Sequence, residues 1–323
     1  MDVMKYFSKA IRGRLSFRDI VDLWNECDTY DLLYLAYSLK RHYSKNPLKI
    51  DLCSIVNARS GRCPENCIFC SQSIYHNTGI ATYGLKPKEE ILRYAKYMER
   101  YCNRFSIVVS GRSIGERDFE RVVDTIRELK EKTRLKICVS LGILDRDKLK
   151  ELKELEVRIH NNLETSQEYF EKVCTTHSYE EKLRTIRYAK RLGLEVCSGG
   201  IFGLGESYIE RIKMLEELKR LKVDSVPLNI LHPIEGTRIH QLIERGEVRE
   251  ITPEEALKSI ALGKIVMPDR EIRLCGGRLY KLRDIQCLSL LAVDGLMVGN
   301  YLTTHGRSIE EDIRMIRDMG FLC

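Results

Sequence analysis

Eight short runs rich in β-branched and apolar residues alternate with longer amphipathic stretches, and this alternation limits the fold more than any other feature. The short runs are KIDLCSIV (49–56), FSIVVSG (105–111), KICVSLG (136–142), VRIHNNLE (157–164), EVCSGGIF (195–202), DSVPLNIL (224–231), EIRLCGG (271–277) and GLMVGN (295–300). Between them, EEILRYAKYM, FERVVDTIREL, YIERIKMLEELKRL and PEEALKSIALGKIV place apolar residues at i, i+3 and i+4, the period of a helix with one buried face. Thr252, Pro253 and Glu255 supply a capping box and a proline at the first helical position, a firm helix start. Strands separated by helices read as a parallel sheet. Eight such units without a Gly/Ser- or Pro-rich linker predict an α/β protein, one closed (β/α)8 TIM-type barrel over residues 46–323. Residues 1–45, with SFRDIVDLWNECD and YDLLYLAYSLKRHY, read as an N-terminal helical extension.

The chain has 323 residues, 43% hydrophobic and 31% charged, which excludes disordered and fibrous classes. Its net charge is 54 − 47 = +7, but charges of both signs alternate along stretches such as EEILRYAKYMER and DKLKELKELE. Spread charge of this kind is a solvated face and argues against a nucleic-acid partner. No apolar run reaches the ~18 residues of a membrane helix, and the first twenty residues are charged throughout, without the apolar core of a secretion signal. A soluble cytoplasmic protein with no membrane partner is expected.

Twelve cysteines lie at positions 27, 53, 63, 67, 70, 102, 138, 174, 197, 275, 287 and 323. A disulfide scaffold would be a short exported chain, so these are read as ligands, reactive thiols or small buried groups. Cys63, Cys67 and Cys70 follow the first strand at C-x3-C-x2-C spacing in NARSGRCPENCIFCSQS. Three soft thiolates on one loop can hold three corners of an iron–sulfur cube or bind zinc. A structural zinc site takes paired ligands from two segments, and no second pair follows. The expected occupant is a 4Fe–4S cluster with one open iron, and the alternatives are zinc completed by His76 or three unrelated thiols. Cys138, Cys197 and Cys275 each sit inside a strand, where a single cysteine is normally a small core residue. Three on separate strands, if all point inward, can converge on one metal site. Cys27, Cys174, Cys287 and Cys323 read as structurally neutral.

The cysteine motif resembles the signature of the radical S-adenosylmethionine (SAM) superfamily. From about residue 50 onward the chain resembles the biotin synthase family within it. NARSGRCPENCIFCSQS with HNTGI, RFSIVVSGR, NNLETS, TTHSYEEKLRTI, CSGGIFGLGES, SVPLNILHPIEGT and RLCGGR carry that likeness in order, one per strand or loop. The resemblance implies a 4Fe–4S cluster on Cys63, Cys67 and Cys70 that cleaves SAM after one-electron reduction by a donor such as flavodoxin or ferredoxin. It also implies an auxiliary 2Fe–2S cluster deep in the barrel as sulfur donor, with dethiobiotin as substrate and a homodimer as the assembly.

In that family three cysteines and an arginine hold the auxiliary cluster. Cys138, Cys197 and Arg273 match three of these positions, and the fourth falls on Ser106. Cys102 lies about 13 Å from that position along an extended strand, too far to substitute for a metal–sulfur bond of about 2.3 Å. Cys275 is two residues beyond Arg273 and shares its strand face, about 6.6 Å further on. Cys53 is a weaker candidate. Thiolate is the softer ligand for iron, which favours Cys138, Cys197 and Cys275 holding a four-iron cluster with an extra sulfide. The alternative keeps two irons with the Ser106 oxygen as ligand.

By the same resemblance Gly199, Gly200, Ile201 and Gly203 line the SAM adenosine, with Glu206 supporting their loop. Asn162 touches SAM and substrate, Glu164 takes the place of an aspartate on the ribose, and Lys182 that of an arginine on the SAM carboxylate. Asn229 is a substrate ligand, and His160 replaces an asparagine at the ureido group. An amide donates and accepts, so it can read a cyclic urea that does the same. Two other readings remain: another radical SAM enzyme on this barrel, methylornithine-synthase-like or hydrogenase-maturase-like, and an iron–sulfur carrier or regulatory protein without turnover.

Overall fold

The computed structural model describes residues 3–323, so residues 1 and 2 of the expected extension lie outside the described residues. Nine strand segments form the sheet: β1 (Asp51–Arg59), β2 (Arg104–Val109), β3 (Lys136–Ser140), β4 (Arg158–His160), β5 (Val196–Cys197), β6 (Gly200–Phe202), β7 (Ser225–Ile230), β8 (Glu271–Leu274) and β9 (Gly295–Met297). Their order is β5-β4-β3-β2-β1-β9-β8-β7-β6, and β5 also pairs with β7 through Cys197 and Ser225, which closes the circle. Every pairing is parallel. Since β5 and β6 are two halves of one strand, the result is the eightfold (β/α)8 barrel expected from the alternation.

Two strands depart from their expected extents. The run expected as one strand over 195–202 breaks after Cys197. Gly199 leaves the ladder to donate its N–H to Asn162 Oδ1 at 3.0 Å, and its carbonyl accepts the N–H groups of Leu163 (2.9 Å) and Glu164 (3.2 Å). The run expected over 157–164 keeps only Arg158–His160 as strand, because Glu164 turns into the left-handed region at φ 72°. For a residue other than glycine this conformation is costly, and it recurs at ligand-binding turns.

The helix Pro253–Val266 starts at the expected capping box and is buried on nearly every face from Ala256 onward. That follows from what covers it. The helices Met4–Ile11, Phe17–Glu26 and Thr29–Tyr43 precede the barrel, and the last of them packs against the outer side of Pro253–Val266. Lys40 on Thr29–Tyr43 is buried and donates to the carbonyls of Leu290 (3.1 Å) and Val293 (2.6 Å). No helix among the described residues is long and apolar enough to cross a membrane.

Charged side chains close the N-terminal end of the barrel. Arg158 bonds Glu195 through Nε (2.9 Å) and Glu271 through Nη1 (2.7 Å). Arg273 binds the carboxylates of Asp51 and Glu271 through Nη2. A buried charge is tolerated only when paired in this way.

Candidate active site

β1 sets up the site through its period of two. Leu52, Ser54, Val56 and Ala58 are buried on the helix side, so Cys53, Ile55, Asn57 and Arg59 fall on the other face. Beyond β1 the chain turns at Gly61, whose N–H is held by Gln72 Oε1 at 3.2 Å and whose carbonyl accepts the Ser110 hydroxyl at 2.7 Å. A Cβ at Gly61 would lie 2.4 Å from Thr82 Oγ1. This turn delivers Cys63, Cys67 and Cys70 to the C-terminal end of the barrel, where TIM-type chemistry resides.

The cysteine loop is tied to itself by backbone bonds. The Cys63 N–H donates to the Gln72 carbonyl, the Ile74 N–H to the Cys63 carbonyl and the Cys70 N–H to the Cys67 carbonyl, at 2.9, 2.9 and 3.0 Å. Burial pushes the Cys63 thiol up, against hydrogen bonds from the Glu65 and Gly111 backbone. Burial likewise pushes Cys70 up to about 12, against the backbone of Gln72 and Ser73. Amide donors aimed at sulfur stabilise the thiolate form that a metal cluster requires, so the loop fits a thiolate-ligated cluster. His76, the alternative zinc ligand, bonds through Nδ1 to the Cys70 carbonyl at 2.8 Å.

A cavity of about 360 Å³ runs from Cys70 into the barrel. It brings together most of the expected side chains: Ser106, Cys138, Cys197, Arg273 and Cys275 toward its floor, and His160, Asn162, Glu164, Ile201 and Asn229 along its wall. Cys63, Cys67, Lys182, Gly199, Gly200 and Gly203 are not among its lining residues. Lys182 nevertheless lies within electrostatic reach of Cys67 and His160.

The three expected loop glycines have tight protein neighbours. A Cβ at Gly199 would sit 1.9 Å from the Pro227 carbonyl oxygen, one at Gly200 2.5 Å from the Glu164 carbonyl oxygen, and one at Gly203 2.7 Å from Ile251 Cγ2. Their lack of a side chain is therefore required by the barrel wall itself. Glu206 accepts the Gly203 N–H at 2.8 Å and pairs with Arg211 at 2.6 Å, the loop support expected of it. Asn162 is oriented by its bond from Gly199 and donates to Glu164 Oε2 at 3.4 Å. Asn229 bridges two segments, donating to the Gly200 carbonyl (3.3 Å) and accepting from the Gly276 N–H (2.9 Å). Burial lowers the pKa of His160 to about 4, which leaves its ring neutral at pH 7.

On the floor, Ser106 and Cys138 are neighbours across β2 and β3, and Ser106 is hydrogen-bonded to the Cys138 sulfur. Burial pushes Cys138 to about 12, against the charges of Arg158 and Arg104. Cys53 lines the same cavity. It interacts electrostatically with Arg273 and Cys197, and Cys275 in turn with Cys53 and Cys197. Cys53 thus stands beside the expected set, and the apolar outer face of β1 was the sequence signal that it points inward. The Arg273 guanidinium is engaged by carboxylates, and its buried Nε has no protein partner.

A second group was missed by sequence reasoning. Cys174, read as neutral, lies against Cys67, and its sulfur is 3.2 Å from His177 Nδ1. The C-x2-H spacing of Cys174 and His177 was the available signal.

The Radical SAM superfamily profile matches residues 58–218, and that of the Biotin and Thiamin Synthesis associated domain matches residues 227–322. A biotin synthase from Methanococcus aeolicus is 56% identical over 98% of this chain and 96% of its own length. One from Methanocaldococcus jannaschii is 51% identical over 100% and 99%. Among solved structures, methylornithine synthase superposes with a TM-score of 0.82 at 21% identity, covering 98% of this chain and 96% of that one. The FeFe-hydrogenase maturase from Carboxydothermus hydrogenoformans gives 0.81 at 20% identity, covering 99% and 79%. At such identities the two structures speak for the barrel alone, whereas near-complete matches above half identity speak for the family. The chain belongs to the radical SAM superfamily and, within it, to the biotin synthase family.

Proposed function

We propose that the chain converts dethiobiotin to biotin by radical sulfur insertion, with sulfur drawn from an auxiliary iron–sulfur cluster in the barrel. The observation that carries this reading is the set of thiols on the cavity floor: Cys53, Cys138, Cys197 and Cys275 line the same space as Cys70, Asn162 and Asn229. A mutase on this barrel has no use for interior thiolates, so they favour sulfur insertion over the methylornithine-synthase-like reading.

Cys63, Cys67 and Cys70 would hold the 4Fe–4S cluster, which with SAM supplies the hydrogen-abstracting radical. Cys138, Cys197 and Cys275 would hold the auxiliary cluster, with Cys53 as a further thiol in reach and Ser106 as the alternative oxygen ligand. Arg273, held by Asp51 and Glu271, places a fixed positive charge beside these thiolates. Arg273 keeps the ligand position that the family resemblance assigns it, and its charge would balance the thiolates. Asn162, Glu164, Lys182, Ile201 and the Gly199–Gly203 segment are assigned to SAM, Glu164 to its ribose hydroxyls and Lys182 to its carboxylate. His160, neutral and buried, can donate from one ring nitrogen and accept at the other, which suits a ureido group, and Asn229 retains one free N–H for the same purpose. Phe69 and Ile230 add apolar wall that keeps water from the reacting carbons.

No disulfide joins the cysteines of the described residues, and a reducing compartment, the cytoplasm, suits thiolate ligands. A flavodoxin or ferredoxin as electron donor and a homodimeric assembly follow from the family resemblance. The test is anaerobic: protein reconstituted with iron and sulfide is given SAM, reductant and dethiobiotin, and products are read by mass spectrometry. Biotin with 5′-deoxyadenosine is expected. 5′-Deoxyadenosine without biotin would move the chain to another radical SAM reaction, and neither product would leave a carrier without turnover.

A further inference from the structure

Beside the cysteine loop lies a group of metal-ligating side chains of which the reaction above uses only Cys67. Ligand atoms of Cys67, Cys174 and His177 all lie within 4.8 Å of one another, the one such group of three among the described residues. The Cys174 sulfur is 3.2 Å from His177 Nδ1. In a tetrahedral site with bonds of about 2.0–2.3 Å, neighbouring ligand atoms stand about 3.5 Å apart, so this pair is already near that spacing. Glu65 supplies an oxygen: its side chain is 7% exposed, its Oε2 contacts His177 Nδ1 and it accepts the Thr176 hydroxyl at 2.6 Å.

The two segments that carry these residues are locked together. The Asn66 side-chain oxygen accepts the N–H groups of Thr175 (2.9 Å) and Thr176 (3.3 Å), and its amide donates to Thr175 Oγ1 at 2.6 Å. The Ile68 N–H adds a bond to the Val173 carbonyl at 2.9 Å. The His177 side chain is 6% exposed and its Nε2 is buried without a partner. Two sulfurs and one imidazole, held before any ion arrives, form a donor set for a thiophilic divalent cation, with the Glu65 carboxylate beside the imidazole.

We propose that Cys67, Cys174 and His177, with Glu65 as fourth ligand, form a mononuclear site for a divalent transition metal: ferrous iron ahead of cluster assembly, with zinc as competitor. Cys67 cannot serve this ion and a cluster on Cys63, Cys67 and Cys70 at once, so the two occupancies exclude each other. That exclusion rests on the assignment of Cys67 to the cluster, whereas the mononuclear site does not.

The full-length protein, stripped of metal under anaerobic conditions, is titrated with cobalt(II). Thiolate-to-cobalt absorption and bound metal are measured against a Cys63→Ala/Cys70→Ala background that cannot build the cube. The background protein is expected to keep the site, and adding Cys174→Ser or His177→Gln is expected to remove one equivalent of cobalt with its thiolate bands. Unchanged stoichiometry and spectra in both would overturn the proposal. A second measurement needs no substitution: cobalt should protect Cys174 of the stripped wild-type protein from alkylation, read by peptide mass spectrometry. Alkylation at the same rate with and without cobalt would equally overturn it. In wild-type protein loaded with iron and sulfide, this equivalent of cobalt should no longer bind. If it still binds, the shared role of Cys67 falls while the dethiobiotin assay stands.

Discussion

Arg273 Nη1 donates to the Asp51 backbone carbonyl at 3.2 Å, across the space left by Gly295. On the sheet Gly295 is the register neighbour of both residues, and a Cβ there would lie 2.5 Å from the Asp51 carbonyl oxygen and 2.7 Å from Arg273 Nη1. One missing side chain therefore admits the guanidinium that lies under the interior thiols. Gly295→Ala is expected to destabilise the fold by about 1–3 kcal/mol through overpacking. It should also lower auxiliary iron content, because the displaced charge no longer faces the thiolates. Denaturant melts and iron analysis check both effects.

The ligand assignment on the cavity floor separates two substitutions. Cys275→Ala should reduce the iron and sulfide of the auxiliary cluster and leave SAM cleavage intact, since Cys63, Cys67 and Cys70 are untouched. Ser106→Ala should retain that iron. The opposite pattern would transfer the ligand role to the Ser106 oxygen.

Glu164 holds its carboxylate toward the cavity from a left-handed turn. Glu164→Gln removes the charge and leaves the backbone demand unchanged. Losing one charge-assisted hydrogen bond is worth about 1.5–3 kcal/mol, so SAM should bind about ten- to a hundredfold more weakly. Equilibrium dialysis with SAM reads this without turnover, and unchanged affinity would remove Glu164 from the SAM site.

His160 gives the apoprotein an acid-side pH dependence. Burial holds its folded pKa at about 4, below its ordinary value of 6.5. Between these values the unfolded chain binds the proton and the folded chain does not, so this group's stability is full above pH 6.5 and declines as pH falls toward 4. The integrated effect is on the order of 3 kcal/mol. Unfolding measured across this range should show the decline in wild type and a flatter curve in His160→Gln.

All eight strand runs and the capping box at Thr252 were readable because period and cap chemistry are local properties of sequence. The break at Gly199 was not, because it depends on Asn162 and the turn at Glu164, more than thirty residues earlier in the chain. Arg273 and Cys275 were placed on one face by strand alternation, and both line the cavity. Cys53 obeys the same rule, but its inward direction becomes plain only from the apolar face formed by Leu52, Val56 and Ala58. Cys174 and Cys67 meet through the bonds of Asn66 to Thr175 and Thr176, a contact across more than a hundred residues that no local pattern encodes.

Sulfur insertion from a cluster held by the barrel thiols is tested most directly by isotope. Protein whose clusters are rebuilt with isotopically labelled sulfide is run for a single turnover with SAM, reductant and dethiobiotin, and the product mass is measured. The thiol-lined floor predicts biotin carrying the labelled sulfur, with the label lost in Cys138→Ala and Cys197→Ala along with the biotin. Unlabelled biotin, or labelled biotin formed equally well without those two thiols, would contradict it.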